Sequence, residues 1–332
     1  MRFILSVCRA AVLSASAVIA TASLSLAQTQ IDLAIFHAKS SPWTPTIEWW
    51  IDEVAKVTEG RVKIVPHYSG ALSTLNETYG SVRTNAVPAG LISAAAVSGQ
   101  LPFMIYPEVI SGLPMDLKDQ LAAMGELRPI FEENFREKGV EHLWSQTSGS
   151  LLSLCRRNHL KEPTDWQGVR IRTAGRWQGE QVQLLGAAPV AIDPSEQYIA
   201  LQNGTIDCVL SVAAIAAPMK LYEVAPKVTA LRQANNLALY IVNKGVFDGL
   251  SPKDQAAIRE VSVEAERRSA EAMADADEAA LEAMAAAGAD AYRVTDEEKA
   301  ALAEIFRGVF TKIDAEAGEA GQQVKAVVDA HR

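Results

Sequence analysis

The sequence predicts an α/β fold, and the evidence is concentrated in the stretch from Asp165 to Cys208. Residues 169–172 (VRIR) alternate apolar and basic side chains, which is typical of a short strand. The stretch continues as helix, strand, helix and strand over residues 176–185, 187–192, 195–203 and 205–212. Strands and helices that alternate in this way form a parallel sheet covered by helices. The chain of 332 residues is 49% hydrophobic, which is enough apolar material for two sizeable cores.

Capping and turn residues delimit the second helix of this stretch. We expect Ser195 to cap its start, because a serine side chain accepts a hydrogen bond from a free N–H of the first turn. Gly204 stands where the helix should end, since glycine readily adopts the left-handed conformation found there. Arg172 ends the first strand, and ligands of such sheets bind beyond the carboxyl ends of the strands. The pattern therefore places Arg172 where a ligand would lie.

Strands and helices also alternate before this stretch. We expect strands at residues 31–36, 61–67, 86–97 and 140–146, and helices at residues 46–57, 75–84 and 117–138. The polar residues 147–150 are expected to carry the chain from a first lobe into a second one. A strand at 150–157 would open that second lobe.

The C-terminal part is predicted to be mostly helical. Its first elements are a helix at 214–225 and strands at 225–231 and 235–243, the last of which would return to the first lobe. Ser251 and Pro252 are typical of a helix start, and the Ala- and Glu-rich helix that they open continues to about residue 287. The remaining elements are an edge strand at 290–294 and helices at 296–313 and 319–331.

The first 27 residues predict an export signal. Arg2 and Arg9 come before an apolar run rich in Ala, Ser and Val, and Ser25 and Ala27 supply the small residues of a cleavage site. A membrane anchor is the alternative, but the run is short and contains Ser and Thr. We therefore expect export and cleavage near Ala27.

The exported chain is expected to be strongly acidic. The full sequence has 31 basic and 40 acidic residues, a formal charge of −9, and loss of Arg2 and Arg9 brings this charge to −11. Such a surface argues against nucleic acid and anionic membranes as partners. An anionic ligand would need a local positive pocket, because the overall field repels it.

Sequence motifs of enzymes and metal sites are not found. The chain contains no G-x-S-x-G, H-E-x-x-H, G-x-G-x-x-G, P-loop or C-x-x-C pattern. Its five histidines are scattered, so we expect no catalytic residue, no metal and no cofactor. Cys155 and Cys208 leave two possibilities open, a disulfide of an exported protein or two buried thiols.

Three motifs in order carry a resemblance to a known family. GVRIR at 168–172, GAAPV at 186–190 and SEQYIALQNGTID at 195–207 resemble the DctP family, the periplasmic solute-binding subunits of TRAP transporters. Weaker similarity, such as GQLPF at 99–103, extends over nearly all of the exported chain. The resemblance implies a two-lobe periplasmic-binding-protein fold of the α/β class, with hinge strands between the lobes and a long bracing C-terminal helix.

The resemblance also implies how the chain is divided. Lobe I would be formed by residues 28–146, and the chain would return to this lobe over residues 237–275, approximately. Residues 147–236 would form lobe II, and about 276–332 would pack on it. Solute would bind in the cleft between the lobes, which would close over it.

In the DctP family the arginine that ends the first motif pairs with the solute carboxylate, and the matching residue here is Arg172. Arginine suits this role because its parallel N–H donors match two carboxylate oxygens. A surface salt bridge is the alternative for Arg172. Arg157 stands near a second arginine position of some members, although the spacing differs slightly, and a solvated charge is its alternative.

Further residues are candidate solute contacts. Ser211 matches a position where several members carry a polar residue, and its hydroxyl can bond a ligand oxygen. Glu77 matches an acidic position and could accept a hydrogen bond from the solute, with an exposed helix charge as the alternative. Trp43 and Trp177 could wall the cleft, although a core position is the more common role of tryptophan. Gln146, at the first crossing between the lobes, could donate into the cleft.

The resemblance implies a periplasmic solute receptor without a chemical step. It would bind a small organic acid and deliver it to the membrane permease subunits of a TRAP transporter. A ligand-sensing periplasmic protein that presents its closed form to a receptor kinase is the alternative, and its fold would be the same. The family often has an aromatic residue just before GQLPF, where this chain has Ala94–Val97, so a stacking contact from that position is expected to be missing.

Overall fold

The computed structural model describes residues 28–234 and 237–331, and the predicted export signal (1–27) lies outside them. Within the described ranges the strands are β1 (Thr29–Ala34), β2 (Val62–His67), β3 (Ala89–Ser93), β4 (Val140–Thr147), β5 (Ser150–Cys155), β6 (Arg170–Thr173), β7 (Ala188–Ala191), β8 (Cys208–Val212), β9 (Lys227–Ala234), β10 (Leu237–Asn243) and β11 (Asp290–Arg293).

Helices occupy most of the remaining chain. Those in the described ranges are α1 (Thr44–Val57), α2 (Thr78–Arg83), α3 (Ala94–Val97), α4 (Ile105–Glu108), α5 (Leu117–Glu137), α6 (Arg176–Leu184), α7 (Gln197–Asn203), α8 (Ala213–Ala216), α9 (Lys244–Asp248), α10 (Pro252–Ala286), α11 (Asp296–Phe306), α12 (Phe310–Glu316) and α13 (Gly318–Ala330). A membrane span would need a longer apolar helix than any found in residues 28–234 and 237–331.

The strands form two sheets, and each sheet is the centre of one lobe. The first sheet has the order β2-β1-β3-β10-β4, and the second has the order β11-β9-β5-β8-β6-β7. Strand β6 pairs in parallel with both β7 and β8, which confirms the parallel unit predicted between Asp165 and Cys208. The prediction of a two-lobe α/β fold is confirmed.

The first two crossings of the chain between the lobes connect strands of the two sheets, and later crossings lead through α10 to β11 and back to α13. The chain leaves the first sheet at the end of β4 and enters the second sheet at β5, through Ser148 and Gly149. It returns between β9 and β10, because β10 lies between β3 and β4 in the first sheet. Gly149 has a φ of +85°, a left-handed conformation that side chains disfavour, so the tight passage from β4 to β5 depends on glycine.

The alternation of side chains along β10 explains how the first sheet is covered on both faces. Leu239 and Ile241 face one core, together with aromatic residues of α5. Tyr240 and Val242 face the opposite core, where the Tyr240 ring stacks on Trp144 at a centroid distance of 3.9 Å. Strand β10 is therefore buried on both faces, and this packing fixes it rigidly between β3 and β4.

Helix α10 braces the molecule, as predicted. Its first turn is capped by Ser251, whose hydroxyl accepts from the N–H of Asp254 at 3.1 Å. Farther along, Glu266 accepts from the N–H of Ser145 at 2.9 Å, on the last strand before the crossing. Asp277 accepts from the N–H of Ser150, the first residue after the crossing. One helix therefore holds both ends of the first crossing between the lobes.

Two local predictions for residues 195–225 are wrong. Ser195 is not the cap, because Pro194 starts a 3-10 turn whose cap is Asp193, and the Asp193 carboxylate accepts from the N–H of Ser195 at 3.2 Å. The helix predicted at 214–225 is only the short α8, and Lys220 interrupts any continuation with a φ of +53°. Gly204 does end α7 in the left-handed conformation, with a φ of +73°.

Helix α13 lies elsewhere than expected. Its apolar face, with Val324 and Val328, is buried with Phe103 and with Phe131 of α5. These partners belong to the first lobe, so the expectation that residues 276–332 pack on the second lobe is wrong for the last helix. Helix α11 does pack on the second lobe, where Phe306 is buried beside Trp166.

The two cysteines of the second lobe form a disulfide. Cys155 of β5 and Cys208 of β8 are directly opposite each other in an antiparallel pair, and their sulfur atoms are bonded. Both residues are buried in the second-lobe core. Of the two possibilities that the sequence leaves open, the structure has the disulfide.

Candidate functional site

A small cavity of about 30 Å³ lies between the two lobes. It is bounded on the first-lobe side by Phe36 and Trp43, and on the second-lobe side by Arg172 and Ser211. The other residues around it are Leu75, Ser93, Ser148, Leu151, Ala174, Gln178, Pro194, Leu210, Val212, Ile215 and Ala238. Both lobes therefore contribute to one site.

Arg172 is held rigidly within the second sheet. Its strand neighbours are Val190 and Val209, and only 5% of its surface is exposed. Its Nε donates to the carbonyl of Ile192 at 3.1 Å, and Nη1 donates to the carbonyl of Leu210 at 3.4 Å. With its side-chain oxygen turned towards the guanidinium, Gln197 accepts from Nε and Nη1 at 3.2 Å each.

The charge of Arg172 has no acidic partner in the described part of the chain. No described carboxylate oxygen lies within 4.0 Å of its guanidinium nitrogens, and the groups that it contacts are neutral. Burial lowers the pKa of Arg172 to about 10, an effect that the nearby Asp193 carboxylate partly opposes. The guanidinium is therefore still charged at neutral pH, as an isolated cation at the cavity.

Two neutral polar groups at the cavity also lack a partner among the described residues. The hydroxyl of Ser211 is buried without a hydrogen bond, and so is the indole N–H of Trp43. Ser211 is on β8, next to the strand of Arg172, and Trp43 precedes α1 in the other lobe. A buried polar group without a partner is unfavourable, and one at a cavity wall can be satisfied by a bound ligand.

A second chamber of about 140 Å³ adjoins the cavity and shares Phe36, Pro194 and Ile215 with it. Most of its other walls are apolar as well, including Met219. His37 is the titratable residue of this chamber; its Nδ1 donates to the carbonyl of Ala38 at 3.0 Å, and burial lowers its pKa to about 4. His37 is therefore uncharged at neutral pH.

The lobes meet around the cavity. The hydroxyl of Ser41, in the first lobe, donates to the carbonyl of Ala214 in the second lobe at 3.1 Å. The amide of Asn76 approaches the Asp193 carboxylate at 3.5 Å across the same gap. The structure therefore has the closed arrangement of the two lobes.

Glu108 forms a further connection between the lobes, and its carbonyl accepts a hydrogen bond of 3.3 Å from the side chain of Gln178, a residue of the cavity wall. It is fully buried in the first lobe, and its carboxyl group accepts from the N–H groups of Trp177 at 2.8 Å and Gln178 at 3.2 Å. These N–H groups belong to the first turn of α6, which follows β6 closely. Burial raises the pKa of Glu108 to about 8, although hydrogen bonds from Ser98 and α6 oppose this rise. Glu108 was not among the residues predicted from the sequence, although it stands as a lone acid in the apolar run FMIYPEVI.

Arg157 and Glu77 do not reach the cavity. Arg157 is exposed and follows the C-terminal end of β5. Because β5 runs antiparallel to β8, and β8 runs parallel to β6, Arg157 and Arg172 lie at opposite ends of the strands. Glu77 is exposed on the first lobe and accepts a hydrogen bond from the Thr74 hydroxyl at 2.9 Å.

Gln146 and Trp177 are buried beside the site rather than in it. Gln146 of β4 accepts from the Tyr240 hydroxyl at 3.1 Å, and its amide nitrogen has no partner among the described residues. Trp177 lies in the first-lobe core, against which α6 packs. The cavity instead includes Ser93, Ser148 and Gln178, which the sequence analysis did not select.

Comparison with known proteins identifies the family to which this chain is similar. The family model of bacterial extracellular solute-binding protein, family 7 (DctP), matches residues 33–316. A solute-binding protein of Verminephrobacter eiseniae is 28% identical over 242 residues, which cover 70% of this chain and 69% of that protein. The C4-dicarboxylate-binding periplasmic protein DctP of Rhodobacter capsulatus is 26% identical over 260 residues, 76% of this chain and 77% of that protein.

A solved structure has the same fold. It is an extracytoplasmic solute receptor of Bordetella pertussis that binds pyroglutamic acid, with a TM-score of 0.83 and 22% identity, over 91% of this chain and 100% of that one. The fold agrees over both lobes, and the family model spans most of the sequence. The chain therefore belongs to the DctP family, bacterial extracellular solute-binding protein family 7, whose members are solute receptors of transporters and not enzymes.

Proposed function

We propose that this protein captures a small organic acid between its lobes in the periplasm and delivers it to the membrane permease subunits of a TRAP transporter. Its family supports this role, and a relative is named for binding C4-dicarboxylates. The carboxylate of the solute would bind Arg172. Ser211 and Trp43 would contact the same end of the solute.

The observation that carries the proposal is the isolated charge of Arg172. A buried guanidinium without an anion is costly, because neutral carbonyls replace only part of its hydration. Here the cation is fixed by Ile192, Leu210 and Gln197 and lines a cavity. A solute carboxylate would compensate the charge and add charge-assisted hydrogen bonds, at little further loss of side-chain freedom.

Binding and closure are coupled in this arrangement. Because Trp43 belongs to one lobe and Arg172 to the other, a solute that contacts both gains its full binding free energy only when the lobes are closed. The closed form also presents both lobes in one fixed geometry. We expect the permease to recognise that form.

A thermal-shift screen of the purified protein tests the proposal. The panel should include C4-dicarboxylates, oxo and hydroxy acids, sugar acids and aromatic acids. A ligand at a hundred times its Kd adds about 2.7 kcal/mol to the free energy of unfolding, which raises the Tm visibly. We expect a shift with at least one class in wild-type protein and in Arg157→Ala, and none in Arg172→Ala. Absence of any shift, from folded protein free of carried-over ligand, would contradict the proposal.

A further inference from the structure

The charges at the site limit the solute to one carboxylate. Arg172 is the charged residue among the described residues that line the cavity and the adjoining chamber. A second carboxylate in this space would be buried without a cation, and an ammonium group would be buried without an acid. The nearest acid, Asp193, does not line either space and bonds Ser195 and Asn76.

The unpartnered polar groups indicate an oxygen acceptor beside that carboxylate. The indole N–H of Trp43 can only donate, and the Ser211 hydroxyl can donate as well. Arg172 already supplies donors for the carboxylate itself. An additional uncharged oxygen on the neighbouring carbon, as in an α-oxo acid, would satisfy both of these donors. A carboxylic acid without such an oxygen would have to share its two carboxylate oxygens among Arg172 and both of these donors, which is less favourable than a separate acceptor.

The adjoining chamber indicates an apolar tail. Its walls include Phe36, Ile215, Pro218 and Met219, and its volume of about 140 Å³ exceeds that of the space at Arg172. A chain of hydroxyl groups would lose its hydration there and find few partners, because the polar side chains present are Ser69, Ser195 and neutral His37, whose Nε2 could accept a single hydrogen bond. A short branched hydrocarbon suits these walls.

From these three observations, and on the basis of the proposed function, we infer that the solute is an aliphatic α-oxo monocarboxylate. Its carboxylate would lie at Arg172, its oxo group at Ser211 and Trp43, and its hydrocarbon tail against Ile215 and Met219. The same features disfavour dicarboxylates, amino acids and sugar acids.

Isothermal titration calorimetry with matched acids tests the inference. The reference is the α-oxo acid of leucine. Isocaproate lacks only its oxo group, and leucine carries an ammonium group instead of the oxo group. The unbranched five-carbon α-oxo acid and α-oxoglutarate form a second pair that differs in one terminal carboxylate, and gluconate represents sugar acids. We expect isocaproate, leucine and gluconate to bind at least about tenfold more weakly than the α-oxo acid of leucine. We expect α-oxoglutarate to bind at least about tenfold more weakly than the unbranched five-carbon α-oxo acid.

Three variants test which residue causes each preference among the acids. Ser211→Ala and Trp43→Phe remove one donor each with little change in shape, and both should reduce the preference for the α-oxo acid over isocaproate. Met219→Arg places a cation at the partly exposed end of the tail chamber and should increase the affinity for α-oxoglutarate. Unchanged preferences in all three variants would overturn the inference.

The two proposals fail differently. If α-oxoglutarate or gluconate binds more tightly than the α-oxo acid of leucine and the binding requires Arg172, the inferred solute class is wrong and the proposed function stands. If no acid in the panel shows binding that depends on Arg172, the proposed function fails together with the inference.

Discussion

The carboxyl group of Glu108 accepts a hydrogen bond of 2.8 Å from the backbone N–H of Trp177 and thereby connects the first lobe to a helix of the second. The acceptor is fully buried, and the donor lies in the first turn of α6, where helix N–H groups lack partners within the helix. Only a few residues separate this turn from Arg172. The contact therefore positions the segment that carries the proposed carboxylate-binding residue.

Glu108→Gln should change the pH dependence of stability. The pKa of Glu108 rises from 4.5 to about 8 on folding, so between these values the folded state binds more protons than the unfolded state. The free energy of unfolding contributed by this group is therefore fully present below about pH 4.5 and is lost as the pH rises towards about 8. Glutamine does not titrate, so the variant should lose less stability over this window.

Urea unfolding of both proteins at several pH values measures this effect. Buried Glu266 and Asp277 also have raised pKa values, of about 7 and about 6, so the relevant quantity is the difference between wild type and variant. That difference should favour the variant progressively as the pH rises. A difference that does not vary with pH would show that Glu108 has an ordinary pKa.

Gly149→Ala should destabilise the crossing between the lobes. Gly149 has a φ of +85°, and an added Cβ would collide with the Asp277 carboxylate. Gly139→Ala is the matched control, because Gly139 has a φ of +80° and nothing within 4 Å of a Cβ. We expect a loss of about 1 kcal/mol for the control and a clearly larger loss, about 2–4 kcal/mol, for Gly149→Ala. Equal urea midpoints for the two variants would contradict the collision.

Removal of the disulfide should lower global stability. Cys155 and Cys208 are 53 residues apart in the sequence, and their bond restricts the unfolded chain. The double variant Cys155→Ala/Cys208→Ala should lose about 2–5 kcal/mol of unfolding free energy. A reductant should lower the urea midpoint of wild-type protein and leave that of the variant unchanged. A wild-type midpoint insensitive to reductant would show that the bond is absent in solution.

The order of strands and helices could be predicted well because most elements are defined by local patterns. The cap of α10 by Ser251 and the end of α7 at Gly204 follow from the neighbouring residues alone. The segment 214–225 could not be predicted in this way. Its composition favours a helix, yet Lys220 has a left-handed backbone and the Ala214 carbonyl bonds Ser41 of the other lobe. Tertiary contacts override local preference there.

The site could be predicted in part, because Trp43, Arg172 and Ser211 were expected from the sequence and line the cavity. Arg172 is the last residue but one of β6, and the structure places it at the cavity. The position of Arg157 depends on β5 running antiparallel to β8, a relationship between distant segments that no local pattern contains. The adjoining chamber likewise combines Phe36 with Met219 from different lobes, so its apolar character appears only once the chain is folded.

Calorimetric titration of Arg172→Ala with an acid that binds the wild-type protein tests the central claim most directly. Loss of the guanidinium should leave the solute carboxylate unpaired in the closed cleft and weaken binding by about 2–4 kcal/mol, roughly 30-fold to 1,000-fold. Arg157→Ala removes an exposed arginine of the same lobe and should bind like wild type. A loss below about tenfold in folded Arg172→Ala, or an equal loss in Arg157→Ala, would contradict the assignment of Arg172 as the carboxylate-binding residue.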